Sequence, residues 1–558
     1  MTLHKRKLVY LATLLIFLQC LIVVFFGVQK RSFFCDEIFS YSLANSQDIT
    51  FLEYDSVHQY NPDGWLDHNF FRNYVEVNNG EELNFHAAIV NQERDVHPPL
   101  YYILLHMVCA LFPNTFSKWT GIGLNLCLLL IANCLMYYFA KEAVGKRISV
   151  GAIAVWSLSA AGLSNILFIR MYMLQTVEFL AMAAILTWTV NTRNDHSLKH
   201  RICVYMLLYL NVITGGLTHY YYYVFLFFTA IALEIVLILL RKFKSVVAVA
   251  AVLIGGGVTN LLIFPSTIDQ IFHGYRGTQD LKNMAGGRTG VFSSYVSYIN
   301  KSMFGGLLLL LAVLAIISLV IRFIRQRWQI KVVSDNNAGN IQINLSRNTY
   351  KKNTEVIQLN YTWISLVIAT IGCIGFCIVA IRGSEIVTNR YIYGCYPFLA
   401  VWAVFIIDKL MRNIFLNTQK AGIIATAILC SVMCVMSYFT YGIDYQYKDY
   451  DAVEAANKPY AGYDLLIYYP SWWDVYSQLP LKFEYDETYF INDADIDNLS
   501  NILQRRHTPD DGLVVHLSSL LTEEEKTAAM DKITQQCGYT SYDQIYSYEY
   551  TTAYVLKK

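Results

Sequence analysis

Long apolar runs recur along most of this chain, and short polar or charged stretches separate them. A bilayer-crossing helix needs roughly 20 mostly apolar residues, and on that measure about eleven spans are predicted, at 8–27, 118–140, 148–169, 171–190, 202–218, 220–240, 245–265, 302–321, 359–381, 393–408 and 420–440. After residue 440 the pattern changes. Strand-like runs at Asp464–Tyr469, Gly512–Leu517, Tyr546–Tyr550 and Ala553–Leu556 alternate with polar segments. Thr522-Glu523-Glu524-Glu525 carries the pattern that caps a helix N-terminus. The expected architecture is a polytopic α-helical membrane part over 1–440, with a first outer loop at 28–117, followed by a small polar α/β domain over 441–558.

Composition agrees. Of 558 residues 55% are hydrophobic and only 15% charged, and a mean hydropathy of +0.35 is far too apolar for a soluble enzyme of this size. The net charge of +1 identifies no partner, but the placement of charge is informative. Basic clusters at His4–Lys7, Lys141–Arg147, Arg193–Arg201, Arg241–Lys244, Arg322–Lys352 and Lys409–Arg412 all fall on the side of the N-terminus when the spans are threaded in order. That is the asymmetry expected of a cytoplasmic face. The loops 28–117, 266–301 and 382–392 and the C-terminal domain then lie outside, in a multi-pass protein of the cytoplasmic membrane. The first span has the basic start of a signal peptide, but its length and the bulky Phe25-Phe26 at its end favour a retained helix.

Twelve cysteines, most of them within predicted spans, imply no disulfide framework. Cys373 and Cys377 lie four apart on an apolar helix, where core packing is the plainer role. The polar stretch 334–357, with Asp335-Asn336-Asn337 and Lys351-Lys352, reads as a cytoplasmic linker. Its Asn344-Leu345-Ser346 triplet is therefore on the wrong side for glycosylation. The chain has no phosphate loop, no GxGxxG after a strand and no internal repeat.

Under this threading the unusual polar residues gather at the outer end of the membrane part. Asp36 and Glu37 follow the first span, and Asp95-Val96-His97-Pro98-Pro99-Leu100-Tyr101-Tyr102 closes the first loop, its prolines suited to the first turn of a following helix. Arg170-Met171-Tyr172 follows the third span, Glu178 lies about two turns into the fourth, His219-Tyr220 separates the fifth and sixth, and Arg390-Tyr391 precedes the tenth. Ionisable residues at such depths are costly and usually face a cavity or pathway. Each also has a plainer reading. Asp36-Glu37 suits a solvated helix end, Arg170 and Arg390 suit interfacial anchors, His219 a satisfied interface histidine, Glu178 a partner of Arg170 or another neighbour, and Tyr220–Tyr223 an aromatic belt.

In this order, and with Tyr396-Pro397 after Arg390-Tyr391, these motifs resemble the GT-C membrane glycosyltransferases. The bacterial branch of the protein O-mannosyltransferase and lipid A aminoarabinose transferase superfamily is the most similar. The resemblance covers residues 1–440 well and the C-terminal domain more loosely. It implies an inverting glycosyltransferase with the GT-C fold, moving a sugar from a polyprenyl-phosphate donor to an extracytoplasmic acceptor that is a cell-envelope glycan, a lipid or a protein. Membrane lipids are the other expected partners, and nucleic acid is not among them.

The residue chemistry fits such a transfer. A phosphate leaving an anomeric carbon barely needs protonation, so one base for the acceptor hydroxyl suffices, whereas a retaining hydrolase needs two close carboxylates with distinct roles. Asp36 is the expected base, with Glu37 orienting the acceptor or shaping the electrostatics. Arg390 and Arg170 would hold the lipid phosphate through the planar guanidinium fork. Asp95 and His97 would position the first loop and the donor sugar, with Tyr172, His219 and Tyr391 as further substrate-binding candidates. No cofactor is required. Asp36, Asp95, His97 and His219 are ligand types that leave room for a divalent metal, but no compact spacing demands one.

The same composition also allows a transporter or lipid flippase. No inverted repeat or pair of matching broken helices supports that, and the polar residues collect at one face where a pathway would spread them across the membrane. The threading makes a direct prediction. A cysteine introduced at Ser500, in a background without other reactive thiols, is expected to react with a membrane-impermeant maleimide in intact cells. Labelling only after the cells are broken would remove the eleven-span arrangement.

Overall fold

The computed structural model describes residues 3–60, 64–191, 197–286, 291–327, 329–334, 341–346, 362–384, 386–415, 419–468, 473–503 and 512–558. Asp335-Asn336-Asn337, Lys351-Lys352, Tyr469 and Arg193 lie outside the described residues. The chain divides into two compact units. One comprises Met1–Ile22, Leu128–Asn165 and Tyr172–Ile443, the other Val23–Cys127, Ile166–Met171 and Asp444–Lys558.

The first unit is helical. Among the described residues nine helices are long and apolar enough to cross a membrane: Ala12–Gln29, Lys118–Val144, Tyr172–Asn191, Leu198–Thr218, Tyr221–Leu239, Phe243–Ile263, Trp363–Gly383, Asn389–Ile414 and Lys420–Thr440. Lys146–Leu158 and Ala160–Leu167, bent by 62° at Ser159, make a tenth if counted as one span. The protein is thus a multi-pass membrane protein. Of the predicted spans, two differ from a simple straight helix. At 148–169 the bend arises because Ser159 is extended and its hydroxyl donates to the Trp156 carbonyl (2.8 Å), while Ser437 accepts the Ala160 N–H freed by the break (2.9 Å). A non-helical turn at membrane depth is tolerated only when its backbone groups are satisfied in this way.

At 302–321 the helix begins later, at Leu308, and its apolar part ends at Ile321, so it is shorter than the others. Gly305 and Gly306 have φ of +60° and +80°, a left-handed backbone that glycine adopts at little steric cost and that no helix continues through. Strand β2 (Gln329–Ser334), just before the linker expected at 334–357, and β3 (Ile341–Ser346), within it, form an antiparallel ladder with Ile330 opposite Leu345 and Val332 opposite Ile343. The alternation of β-branched and polar residues in both segments accounts for it.

The second unit holds a six-stranded sheet. Strand β1 (Trp65–Asp67) comes from the first loop, and β4 (Asp464–Tyr468), β5 (Glu487–Ile491), β6 (Leu513–Ser518), β7 (Ser541–Tyr548) and β8 (Thr551–Lys557) come from the C-terminal segment. The order is β1-β5-β4-β6-β8-β7, with β4 parallel to both β5 and β6 and the remaining pairs antiparallel. The C-terminal segment therefore takes its outermost strand from the first loop, where Trp65 packs edge-on against Tyr489 at 5.2 Å. Leu466, Leu513, Val515 and Leu517 meet Met530 and Ile533 of the helix Glu523–Gln536 in the core. That helix starts as its sequence indicates: Glu525 accepts from the Thr522 N–H (2.8 Å) and the Thr522 hydroxyl accepts from the Glu525 N–H (3.2 Å).

The first loop and the C-terminal segment are further joined through Tyr476. Its hydroxyl accepts from the Leu52 N–H at 2.7 Å, and its ring lies 4.1 Å from that of Phe39. On β6, His516 is buried with Nε2 facing the hydroxyls of Tyr485 (3.3 Å) and Tyr546 (3.2 Å). Burial, aided by the nearby Lys482 charge, holds its pKa well below the ordinary histidine value. An unfolded histidine takes up a proton near about pH 6.5, which the folded site refuses, so stability is retained above that pH and lost as pH falls below it. Thermal unfolding compared at about pH 7.5 and about pH 5.5 is expected to fall less for His516→Gln than for the parent. Equal falls in the two proteins would show that His516 contributes nothing to the acid sensitivity.

Candidate functional site

In the second unit the helix Cys35–Asn45 starts immediately after the first span, and Asp36 and Glu37 occupy its first turn. Acidic residues suit that position because the exposed N–H groups and the helix dipole favour negative charge. The two carboxylates have different surroundings. Glu37 is wholly buried. Its Oε2 accepts from the Lys30 ammonium at 2.7 Å and from the Phe34 N–H at 2.8 Å, and its Oε1 accepts from the Ile169 N–H at 2.9 Å. Asp36 is only half-buried and turns toward Arg170 through its own backbone.

Lys30 is also fully buried and donates to the Tyr445 carbonyl at 2.6 Å. Burial pulls its pKa down, and the charge and hydrogen bond of Glu37 oppose the shift. The rings of Phe34, Phe168 and Tyr445 close over this region, with Phe168 and Tyr445 stacked at 4.2 Å.

The segment Ile166–Met171 is held in place backbone atom by backbone atom. Asn125 donates to the carbonyls of Ile166 (3.0 Å) and Phe168 (2.8 Å), and Glu37 takes the next N–H, that of Ile169. Gly121 lies against it so closely that a Cβ would come within 2.3 Å of the Ile169 side chain, so only glycine leaves room. These contacts aim Arg170 at the helix start. Arg170 is only 5% exposed. Nη1 donates to the Asp36 carbonyl (3.1 Å) and the Ser40 hydroxyl (3.4 Å), Nη2 lies 3.3 Å from His97 Nδ1, and the group sits over the Tyr102 ring at 5.6 Å.

His97 Nδ1 is also 3.0 Å from Asp95 Oδ2. One ring nitrogen cannot donate to the carboxylate and accept from the guanidinium at once. Since His97 Nδ1–H to Asp95 is the charge-favoured pairing, Arg170 supports it electrostatically. Burial raises the Asp95 pKa, but the hydrogen bond and charge of His97, with the charge of Arg170, outweigh it and hold the carboxyl below its usual value. The structure thus brings together Asp36, Glu37, Asp95, His97 and Arg170, five of the residues singled out in sequence. Lys30, Ser40, Tyr102 and Tyr445 complete the cluster, and sequence reasoning did not single out Lys30 or Tyr445 at all. Lys30 reads as an ordinary interfacial lysine, and Tyr445 is a long way off in sequence.

The other candidates collect in the first unit. Tyr172 opens the helix Tyr172–Asn191, and its ring lies 6.1 Å from His219, 6.5 Å from Tyr391 and 6.2 Å from Tyr393. His219 ends the helix Leu198–Thr218 with an extended backbone, and its Nδ1 accepts from the Tyr221 N–H at 3.0 Å. Tyr221 in turn donates to Asp280 at 2.8 Å.

Arg390 stands in a short 3-10 turn, Asn389–Cys395, that leads into the helix Tyr396–Ile414 with Pro397 in its first turn. It is nearly buried, and its guanidinium lies 5.6 Å from the Tyr391 ring centroid. Tyr396 donates to Asn389 at 2.6 Å and so ties the turn to the helix. Glu178 accepts from Asn211 (2.6 Å) and Thr214 (2.9 Å). Among the described residues no group of three or more His, Cys, Asp or Glu side chains is arranged to hold a metal ion.

No family model matches the chain, and no curated protein does. Solved structures do. ArnT from Cupriavidus metallidurans bound to undecaprenyl phosphate superposes with a TM-score of 0.55 at 9% identity, over 98% of this chain and 97% of that one. The same protein in the apo state gives 0.45 at 11% identity, over 99% and 98%. The Archaeoglobus fulgidus oligosaccharyltransferase, tethered with an acceptor peptide, gives 0.38 at 12% identity, over 82% and 65%. The fold assignment rests on the first of these. A multi-pass helical bundle, a strand-containing C-terminal segment and a match along nearly the whole chain make this a protein of the GT-C fold.

Proposed function

We propose that this protein is an inverting membrane glycosyltransferase that moves a sugar from a polyprenyl-phosphate donor to a hydroxyl acceptor outside the cytoplasmic membrane. The observation that carries the proposal is the Asp36–Arg170–His97–Asp95 cluster built on the first helical turn after the first span. Support comes from the fold, shared with ArnT, a lipid A aminoarabinose transferase whose structure holds undecaprenyl phosphate.

In the proposed reaction the acceptor oxygen attacks the anomeric carbon as the bond to the phosphate breaks. The phosphate leaves with that electron pair, and the acceptor proton passes to Asp36. Asp36 suits the role because it is the carboxylate of the pair that retains exposure, whereas both oxygens of Glu37 are engaged by protein donors. Glu37 is then a positioning residue that sets the helix start and the Ile169–Arg170 backbone. Arg170 holds the helix start through the Asp36 carbonyl, and its charge favours the Asp95 carboxylate that pairs with His97. Arg390 is assigned to the lipid phosphate, where a buried guanidinium both anchors the ground state and stabilises the charge that grows as the bond breaks. Tyr172, His219 and Tyr391 would line the donor site, and Asp95 with His97 would hold the loop that meets the sugar.

The direct test incubates membranes containing the protein with a panel of radiolabelled polyprenyl-phosphate sugars and asks which label leaves the lipid. Release that depends on the protein and needs an acceptor is expected. If no lipid-linked sugar is consumed while a labelled lipid changes leaflet, the protein is a flippase.

Two sets of variants divide the work. Asp36→Asn is expected to insert normally, bind donor and lose about a thousandfold in turnover, the scale of a lost general base. Glu37→Gln should lower thermal stability together with activity, as a positioning role requires. Near-parental turnover by Asp36→Asn would exclude it as the base. Arg390→Ala is expected to lose both donor affinity and rate, while Arg390→Lys retains the charge without the fork and keeps part of each. Unchanged donor binding by Arg390→Ala would make it an interfacial anchor.

A further inference from the structure

A cavity of about 340 Å³ opens among the helices of the first unit, far from Tyr172 and Arg390. It lies between the C-terminal ends of Tyr172–Asn191 and Tyr221–Leu239 and the N-terminal ends of Leu198–Thr218, Phe243–Ile263 and Thr362–Gly383. Leu186 on its wall is 14 residues beyond Tyr172 on one helix, about 20 Å at 1.5 Å per residue. The wall is aliphatic, formed by Leu186, Val204, Leu208, Leu233, Leu237 and Ile368. Its rim is not, because His200, Arg201 and Lys242 also line the space. Neither Arg201 nor Lys242 has a carboxylate partner among the described residues.

We infer that this cavity binds one anionic phospholipid, with its phosphate at Arg201 and Lys242 and an acyl chain against the aliphatic wall. Three features select that occupant. The two cations are exposed at the rim and pair with no carboxylate among the described residues, so an external anion can reach both. Two helices, Leu198–Thr218 and Phe243–Ile263, begin at the rim, and the positive ends of their dipoles favour a phosphate. The aliphatic depth has no use for a free phosphate but suits a lipid chain, and a volume of this size falls in the ordinary range of small-molecule sites, about 300–1,000 Å³. Zwitterionic lipid brings its own cation to the rim and loses the net attraction. Basic pockets between transmembrane helices bind anionic headgroups by this logic.

The test uses the full-length protein in mild detergent, stripped of lipid, with phosphatidylglycerol and phosphatidylcholine titrated separately and bound lipid counted by native mass spectrometry. The parent is expected to prefer phosphatidylglycerol, and glycerol 3-phosphate in excess is expected not to displace it. Arg201→Gln with Lys242→Gln should weaken phosphatidylglycerol binding about 30-fold, the equivalent of two surface cations at about 1 kcal/mol each. Leu208→Trp, which fills the cavity and leaves the charges, should weaken it as well. Thermal unfolding of each variant separates lost binding from lost folding, and the paired glutamine variant alters only exposed side chains. Equal binding of the two lipids, or displacement by glycerol 3-phosphate, would overturn the inference. So would parental binding by the filled-cavity variant, which would place the lipid on the outer surface.

Discussion

The ion pair between Lys30 and Glu37 is the constraint on which the second unit depends. Both side chains are completely enclosed, 2.7 Å apart. Taking two charges out of water is repaid only with good geometry and further hydrogen bonds, and here Glu37 also binds two backbone N–H groups, and Lys30 also binds the Tyr445 carbonyl. One carboxylate thereby joins the end of the first span, the start of the helix Cys35–Asn45 and the Ile166–Met171 segment. Removing one partner of such a pair costs about 3–5 kcal/mol, because the other charge stays buried. Arg170 reaches Asp36 and His97 only because the backbone beside it is pinned in this way.

That arrangement gives two adjacent carboxylates different surroundings. Side chains one residue apart on a helix point about 100° from each other, so Glu37 turns inward to the ion pair while Asp36 stays at the accessible side. A wholly buried acid and a half-buried one thus follow from consecutive positions in one turn. Asp95 and His97 extend the same polar network from the far end of the first loop, and Tyr102 gives the guanidinium an aromatic face in place of water.

The helical unit obeys a different rule, imposed by lipid. Polar groups within the membrane must find partners inside the protein. Gln19 meets Asn133 and Ser157, Glu178 meets Asn211 and Thr214, and Asp408 is bracketed by Arg147 at 2.6 Å and Arg412 at 2.9 Å. The broken helix at Ser159 follows the same accounting, since Ser437 replaces the bond that the bend removes. Irregular backbone appears in the spans where a side chain is available to satisfy it.

Much of this was legible in the sequence because the membrane makes hydropathy a length measurement. The apolar runs, the capping box at Thr522 and most strands of the C-terminal segment all depend on local pattern, which sequence carries directly, whereas Asp36 and Glu37, expected at the outer end of the first span, open a separate helix. The selection of Asp95, His97 and Arg170 also rests on local pattern, since their cost at an interface marks them without any knowledge of partners. Tertiary structure alone decided which of those residues meet. Lys30 becomes the counter-ion of Glu37 only because the chain turns between them, and Tyr445 supplies its carbonyl from more than 400 residues away. The short helix at Leu308 and the strand that Trp65 lends to the C-terminal sheet are likewise invisible to periodicity. One depends on two left-handed glycines and the other on a pairing between segments whose separation no local pattern records.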